Sequence, residues 1–151
     1  MTALMQHRTS VLEKHFNVSP ARVFAAWADL EQRAKWNSPS DDVVIRYTED
    51  DFSVGGKDVS LCLVGDHIVA EVVGVYHHIA TDEQIIYTEI IKSEDQVLGV
   101  SQVSVSIAPE GDGTHMVVTL QTAAVSGGDI LDEVAAGWTV AMEKMQAVLE
   151  A

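Results

Sequence analysis

Residues Ile130–Glu150 place Leu131, Val134, Trp138, Met142, Met145 and Leu149 at spacings of three or four. That spacing, with Ala141 on the same side, predicts a helix of about five turns with one wide apolar stripe. Gly127-Gly128 breaks the chain before it, and Asp129 stands where an N-cap is needed. A stripe of this length must be covered by an apolar surface of similar size. From Val43 to Ala124 the chain reads only as strands and turns, so the expected partner is the inner face of a sheet.

The predicted strands are Val43–Thr48, Asp58–Val64, Ile68–Ile79, Gln84–Lys92, Val97–Ala108 and Thr114–Ala124. Gly55-Gly56, Gly65-Asp66, Thr81-Asp82-Glu83, Ser93-Glu94-Asp95 and Glu110-Gly111-Asp112-Gly113 separate them, and all have hairpin chemistry. Alternation in Val103-Ser104-Val105-Ser106-Ile107 implies one buried and one wet face, hence an antiparallel sheet. Before them, residues 9–18 read as a further strand that ends at Ser19-Pro20, an N-cap followed by a first helical residue. A helix over Pro20–Leu30 follows, with Val23, Phe24, Trp27 and Leu30 on one face. A second helix over Leu30–Trp36 is capped by Asp29, and Asn37-Ser38-Pro39-Ser40-Asp41 ends it in a loop. The expected fold is α+β: a curved antiparallel sheet of six to seven strands around a long C-terminal helix, with two short helices after the first strand.

The composition narrows the partners. The 151 residues, read as one domain over 1–151, are 47% apolar and 21% charged, which supports a packed core. Nine Lys and Arg against 23 Asp and Glu give a formal charge of −14, which opposes nucleic acid and anionic membrane surfaces alike. The single Cys62 has no internal disulfide partner and lies in the apolar run Val59–Val64, where a thiol acts as a small hydrophobe. The N-terminal segment Met1–Arg8 lacks the apolar stretch of a signal peptide, and no segment approaches about 18 consecutive apolar residues. A cytoplasmic location is expected.

The ordered set Phe16-Asn17-Val18-Ser19-Pro20-Ala21-Arg22-Val23-Phe24-Ala25-Ala26-Trp27-Ala28-Asp29-Leu30-Glu31, Trp36, and Asp51-Phe52-Ser53-Val54-Gly55-Gly56 runs through the first part of the chain. It continues with Gly74-Val75-Tyr76, Ile86-Tyr87-Thr88, Glu110-Gly111-Asp112-Gly113-Thr114 and Gly137-Trp138. This set resembles the helix-grip fold of the Bet v 1-like/START (SRPBCC) superfamily, and within it the family named after the activator of the Hsp90 ATPase. The resemblance spans roughly residues 11 to 149. It implies a sheet curved around the last helix with a cavity between them that, in many relatives, binds an apolar or amphipathic small molecule.

Six histidines, His7, His15, His67, His77, His78 and His115, show no metal-ligand spacing, so neither a metal nor another cofactor is expected. Adjacent His77 and His78 point to opposite faces of a strand, and by phase His78 shares its face with Gly74 and Tyr76. An inward His78 would hydrogen-bond a ligand or act as a base. Glu89 shares a face with Ile85 and Tyr87. Both faces of that strand are apolar, so its carboxyl either stands at a solvated edge or enters the cavity with a raised pKa. The acidic run Thr48-Glu49-Asp50-Asp51 reads as a solvated turn, because the ligand order of a calcium loop is missing. No Gly-x-Ser-x-Gly, Cys/His pair or phosphate-cradling loop appears.

The expected cavity residues are Trp36, Tyr47, Tyr76, His78, Tyr87, Glu89, Trp138, Met142 and Met145, with the loop Asn37–Asp42 at the mouth. Ligand binding without a catalytic step is the leading expectation. A cyclase- or hydrolase-like reaction run by an inward His78 or Glu89 is the second. Contact with an Hsp90-type chaperone is the third and least expected, since the activator's larger N-terminal domain has no counterpart in these residues. A homodimer is left open.

Overall fold

The computed structural model describes residues 4–125 and 127–151, so Met1 to Ala3 of the N-terminal segment lie outside the described residues. The chain runs β1 (Gln6–Phe16), α1 (Pro20–Ala28), α2 (Leu30–Trp36), β2 (Val44–Asp50), β3 (Lys57–Val64), β4 (His67–Ala80), β5 (Gln84–Ser93), β6 (Gln96–Glu110), β7 (Gly113–Ala124) and α3 (Asp129–Leu149). The strands form one seven-stranded antiparallel sheet in the order β1-β7-β6-β5-β4-β3-β2. This is the expected helix-grip architecture.

Local chemistry sets the element ends. The Ser19 hydroxyl accepts from the Arg22 amide at 3.2 Å, and Pro20 occupies the first helical position. Asp29 closes α1 and caps α2, its carboxylate accepting from the Glu31 amide at 2.9 Å. Asp29 therefore fixes the corner between the two helices. At α3 the expectation is corrected: Gly128 is the N-cap and Asp129 the first helical residue, where its charge still faces the positive end of the helix dipole.

Register irregularities interrupt the sheet between Tyr47 and Glu49, Cys62 and Leu63, Tyr76 and His78, and Ile91 and Lys92. Such bulges bend a strand and increase its twist, and the extra residues here are Thr48 on β2, Val69 and His77 on β4 and Leu98 on β6. The sheet curls around α3 there. Along β7, Met116, Val118, Leu120 and Ala124 are buried in alternation, and along β6 Val103, Val105 and Ile107 are. All of these except Ala124 pack with Phe16, Val23, Trp27, Met142 and Met145 into the main core. No helix among the described residues is long and apolar enough to cross a membrane.

Candidate functional site

Between the inner face of β2–β5 and the first three turns of α3 lies a cavity of about 240 Å³. Side-chain size explains why it is there. The sheet contributes Ser60, Cys62 and Ala70, and the helix contributes Gly137 and Ala141, all too short to meet across the gap. The other half of the interface is closed by long residues, Met116, Leu120, Met142 and Met145, each fully buried. Strand alternation brings Ser60 and Cys62, and Glu89 and Ile91, to the same face. Helical spacing brings Ile130, Val134, Trp138 and Ala141 into line above them. Of the lining residues, Pro39, Val69 and Glu133 are exposed, which places the mouth among them.

Asn37, Ser38 and Pro39 form one side wall. Lys144 fastens this segment to α3, with its ammonium donating to the Ser38 hydroxyl at 2.6 Å and standing 3.2 Å from the Asp41 carboxylate. A Cβ on Gly137 would lie 3.0 Å from the Pro39 Cβ, so the helix meets the loop through a position that only glycine leaves free. Replacing Gly137 by Ala should therefore have opposed effects. Helix propensity favours Ala by about 1 kcal/mol, while the loop must move away by a few tenths of an ångström. The expected result is a melting temperature within a few degrees of the parent with faster ligand exchange, read by thermal unfolding and stopped-flow binding.

Glu89 is half-buried at the cavity wall, and among the described residues no hydrogen bond reaches its carboxyl. Burial, and then the charge of Asp58, push its pKa up to about 7. The folded protein therefore holds a proton on Glu89 that the unfolded chain, titrating in the usual carboxylate range, has released. Stability is expected to fall as pH rises from about 4.5 to 7, with a total cost of about 3 kcal/mol. Glu89→Gln should abolish that slope and stabilise the protein at pH 8, measured by urea unfolding across the range.

Deeper along the same face is a second space of about 20 Å³, room for about one water. Arg33 dominates it. Its side chain is 4% exposed, ion-paired to Asp50 and, at 3.1 Å, to Asp58. It also donates to the Trp27 carbonyl at 2.7 Å, leaving only Nε without a partner. The Tyr76 hydroxyl donates to Asp58 at 3.1 Å, and the Tyr47 ring lies 5.2 Å from the guanidinium while its oxygen accepts from Asn37 at 2.7 Å. Burial alone would lower the Arg33 pKa, but the surrounding tyrosines and carboxylates outweigh it and keep the guanidinium charged. Burial raises Asp58 against the opposing pull of Arg33 and the Tyr76 hydroxyl, and the charge of Asp50 adds a smaller push. Burial also pushes Tyr47 up to about 12 and raises Tyr76 and Tyr87.

The nine expected residues separate into groups. Trp138 and Glu89 line the cavity, and Trp36, Tyr76, Tyr87 and Glu89 line the inner space. Tyr47 stands beside it through Asn37 and Arg33. Met142 and Met145 belong to the closed core instead, a turn beyond the cavity on α3. His78 is corrected outright: the bulge after Tyr76 shifts the phase, so Ile79 packs on the core while His77 and His78 are both exposed. Their rings bond Thr88 at 2.8 Å and Gln84 at 3.0 Å on the outer surface. An acid/base pair of His78 and Glu89 is thus ruled out by geometry. Sequence reasoning missed Ser60, Cys62, Arg33, Asp50 and Asp58. The apolar run around Cys62 and the acidic run around Asp50 each signalled something blander.

The family model described as Activator of Hsp90 ATPase homolog 1-like protein matches residues 17–150. No curated protein matches the chain. Among solved structures, an uncharacterised protein from Rhizobium leguminosarum superposes with a TM-score of 0.87 at 25% identity, over 96% of this chain and 95% of that one. The Mll3558 protein from Rhizobium loti gives 0.84 at 29% identity, over 96% and 99%. Protein CV1439 from Chromobacterium violaceum gives 0.81 at 23% identity, over 95% and 97%, a likeness of fold alone. With the match running from the start of the first helix pair to the end of α3, the chain belongs to the Activator of Hsp90 ATPase homolog 1-like family.

Proposed function

We propose that the protein binds a small apolar or amphipathic molecule between the sheet and α3. The observation that carries this reading is a cavity of about 240 Å³ with apolar walls on both sides and, in its inner wall, the Glu89 carboxyl, to which no hydrogen bond is made among the described residues. Drug-sized ligands occupy roughly 300–1,000 Å³, and a closed apolar cavity of about 150 Å³ accepts benzene. The occupant is accordingly a single- or double-ring molecule or a short-chain amphiphile. Ile45, Val72, Ile91, Ile130, Val134 and Trp138 supply apolar contact, and Asn37, Ser38 and Ser60 supply hydrogen bonds at the edges.

A neutral, naphthalene-sized solvatochromic probe tests the reading. Its emission should shift to the blue on adding the native protein and remain unshifted with Val134→Trp, which fills the cavity from α3 without deleting core packing. An equal shift with both proteins would place the probe elsewhere and remove the support for this site. The Glu89 carboxyl alone, with Cys62 as its nearest thiol, lacks the second group that acid/base catalysis needs, so binding is favoured over reaction.

A further inference from the structure

The walls of the cavity contain two carboxylates and no cationic side chain. Glu89 stands on the inner wall and Glu133 at the mouth, and Lys, Arg and His are all missing from the lining residues. The cations nearby are already engaged, Arg33 by Asp50 and Asp58 and Lys144, behind Ser38, by Asp41, so neither is turned to Glu89. Around Glu89 the facing groups are Asp58 and Cys62 from β3, Tyr76 from β4, Tyr87 from β5, Arg33 from α2 and Glu133 from α3. Among the described residues none of them gives Glu89 a hydrogen bond. The Glu89 carboxyl faces the cavity space from a mostly apolar wall, and a ligand that donates to it there forms a charge-assisted bond shielded from bulk water.

We infer that the ligand is a cationic amphiphile, an amine whose apolar body lies under Trp138 and Val134 and whose ammonium donates to the Glu89 carboxylate. This rests on the ligand-binding reading above and specifies its chemistry. A carboxylate or phosphate head would meet Glu89, Asp58 and Glu133, while Arg33 and Lys144 are already paired to carboxylates, so anionic amphiphiles are disfavoured by like charge. A neutral hydroxyl donates to the carboxylate but carries no charge of its own, so it lacks the ion-pair attraction that an ammonium adds in this poorly solvated wall. The pH dependence follows with a definite sign. The ammonium needs the ionised carboxylate, and Glu89 without ligand titrates near 7, so affinity for an amine rises as pH increases through that value.

Titration calorimetry at about 0.15 M salt with octylamine, 1-octanol and octanoate tests the inference, with salt at that level screening the general attraction of a −14 protein for cations. Octylamine should bind at least tenfold more tightly than octanol at pH 8, and octanoate weakest of the three. The amine's advantage should shrink at pH 6, disappear in Glu89→Gln, and persist within about twofold in Glu133→Gln. Equal binding of amine and alcohol, or an amine advantage that survives Glu89→Gln, would overturn the inference while leaving the ligand-binding reading intact. Binding of none of the three would overturn both. The wild-type series needs no variant, so the outcome does not depend on how any substitution folds.

Discussion

Replacing Arg33 by Ala is expected to destabilise the protein by about 3–5 kcal/mol, because it strands two carboxylates that share a single buried cation. Asp50 and Asp58 are only 24% and 17% exposed at their side chains, so water replaces little of what the guanidinium provides. The same substitution cuts the links from α2 to the Trp27 carbonyl and to the ring of Tyr47. The loss should be largest at neutral pH and shrink as pH falls. Asp58 is raised already with Arg33 present, and without that cation it takes up a proton more readily. Adding Asp58→Asn to Arg33→Ala should recover part of the loss. Urea unfolding between pH 5 and 8 measures both effects, and a pH-independent loss below about 1 kcal/mol would show that the network does not hold α2 to the sheet.

Trp138→Ala should cost a similar amount, about 3–5 kcal/mol, by removing a large buried side chain. Trp138 stacks on Trp27 with centroids 6.0 Å apart and an interplanar angle of 23°, and Trp27 in turn meets Trp36 edge-on at 4.8 Å. The indole of Trp138 therefore serves both the core and the cavity wall. Its removal is expected to join the cavity to the space beside Trp27 and Trp36, so that the destabilised variant accepts bulkier ligands than the parent does. Thermal unfolding gives the first effect, and a series of probes of increasing size gives the second. A variant that loses stability but keeps the parent's size limit would mean that the cavity is bounded elsewhere.

Period and turn chemistry made the element order and its ends legible. Ser19-Pro20 and Asp29 act as they read, and the stripe from Leu131 to Leu149 finds its sheet. Four features of the site are not legible, each for a physical reason. The phase of β4 predicts an inward His78, but an extra residue at a bulge inverts the phase, and no residue type around Tyr76–His78 marks it. The phase of β5 groups Glu89 with Ile85 and Tyr87, yet with both strand faces apolar only the curvature of the sheet decides which face is concave. Arg33 lies in a seven-residue helix whose apolar side is carried by other residues, and its partners Asp50 and Asp58 come from strands distant in sequence. Long-range ion pairs of that kind leave no local pattern. Met142 and Met145 share the stripe with Trp138, but a cavity covers only part of a helix, and its extent depends on small residues on the opposing sheet.

The central claim is that the space under Trp138 takes up a small molecule. Amide NMR of the native protein during a titration with 1-octanol tests it directly. Saturable shifts should appear at Cys62, Ala70, Gly137 and Ala141, which line the cavity, while Gln102 and Gln121 on the outer face of the sheet stay in place. Shifts that are absent at those four positions, or that appear on the outer face instead, would contradict the account.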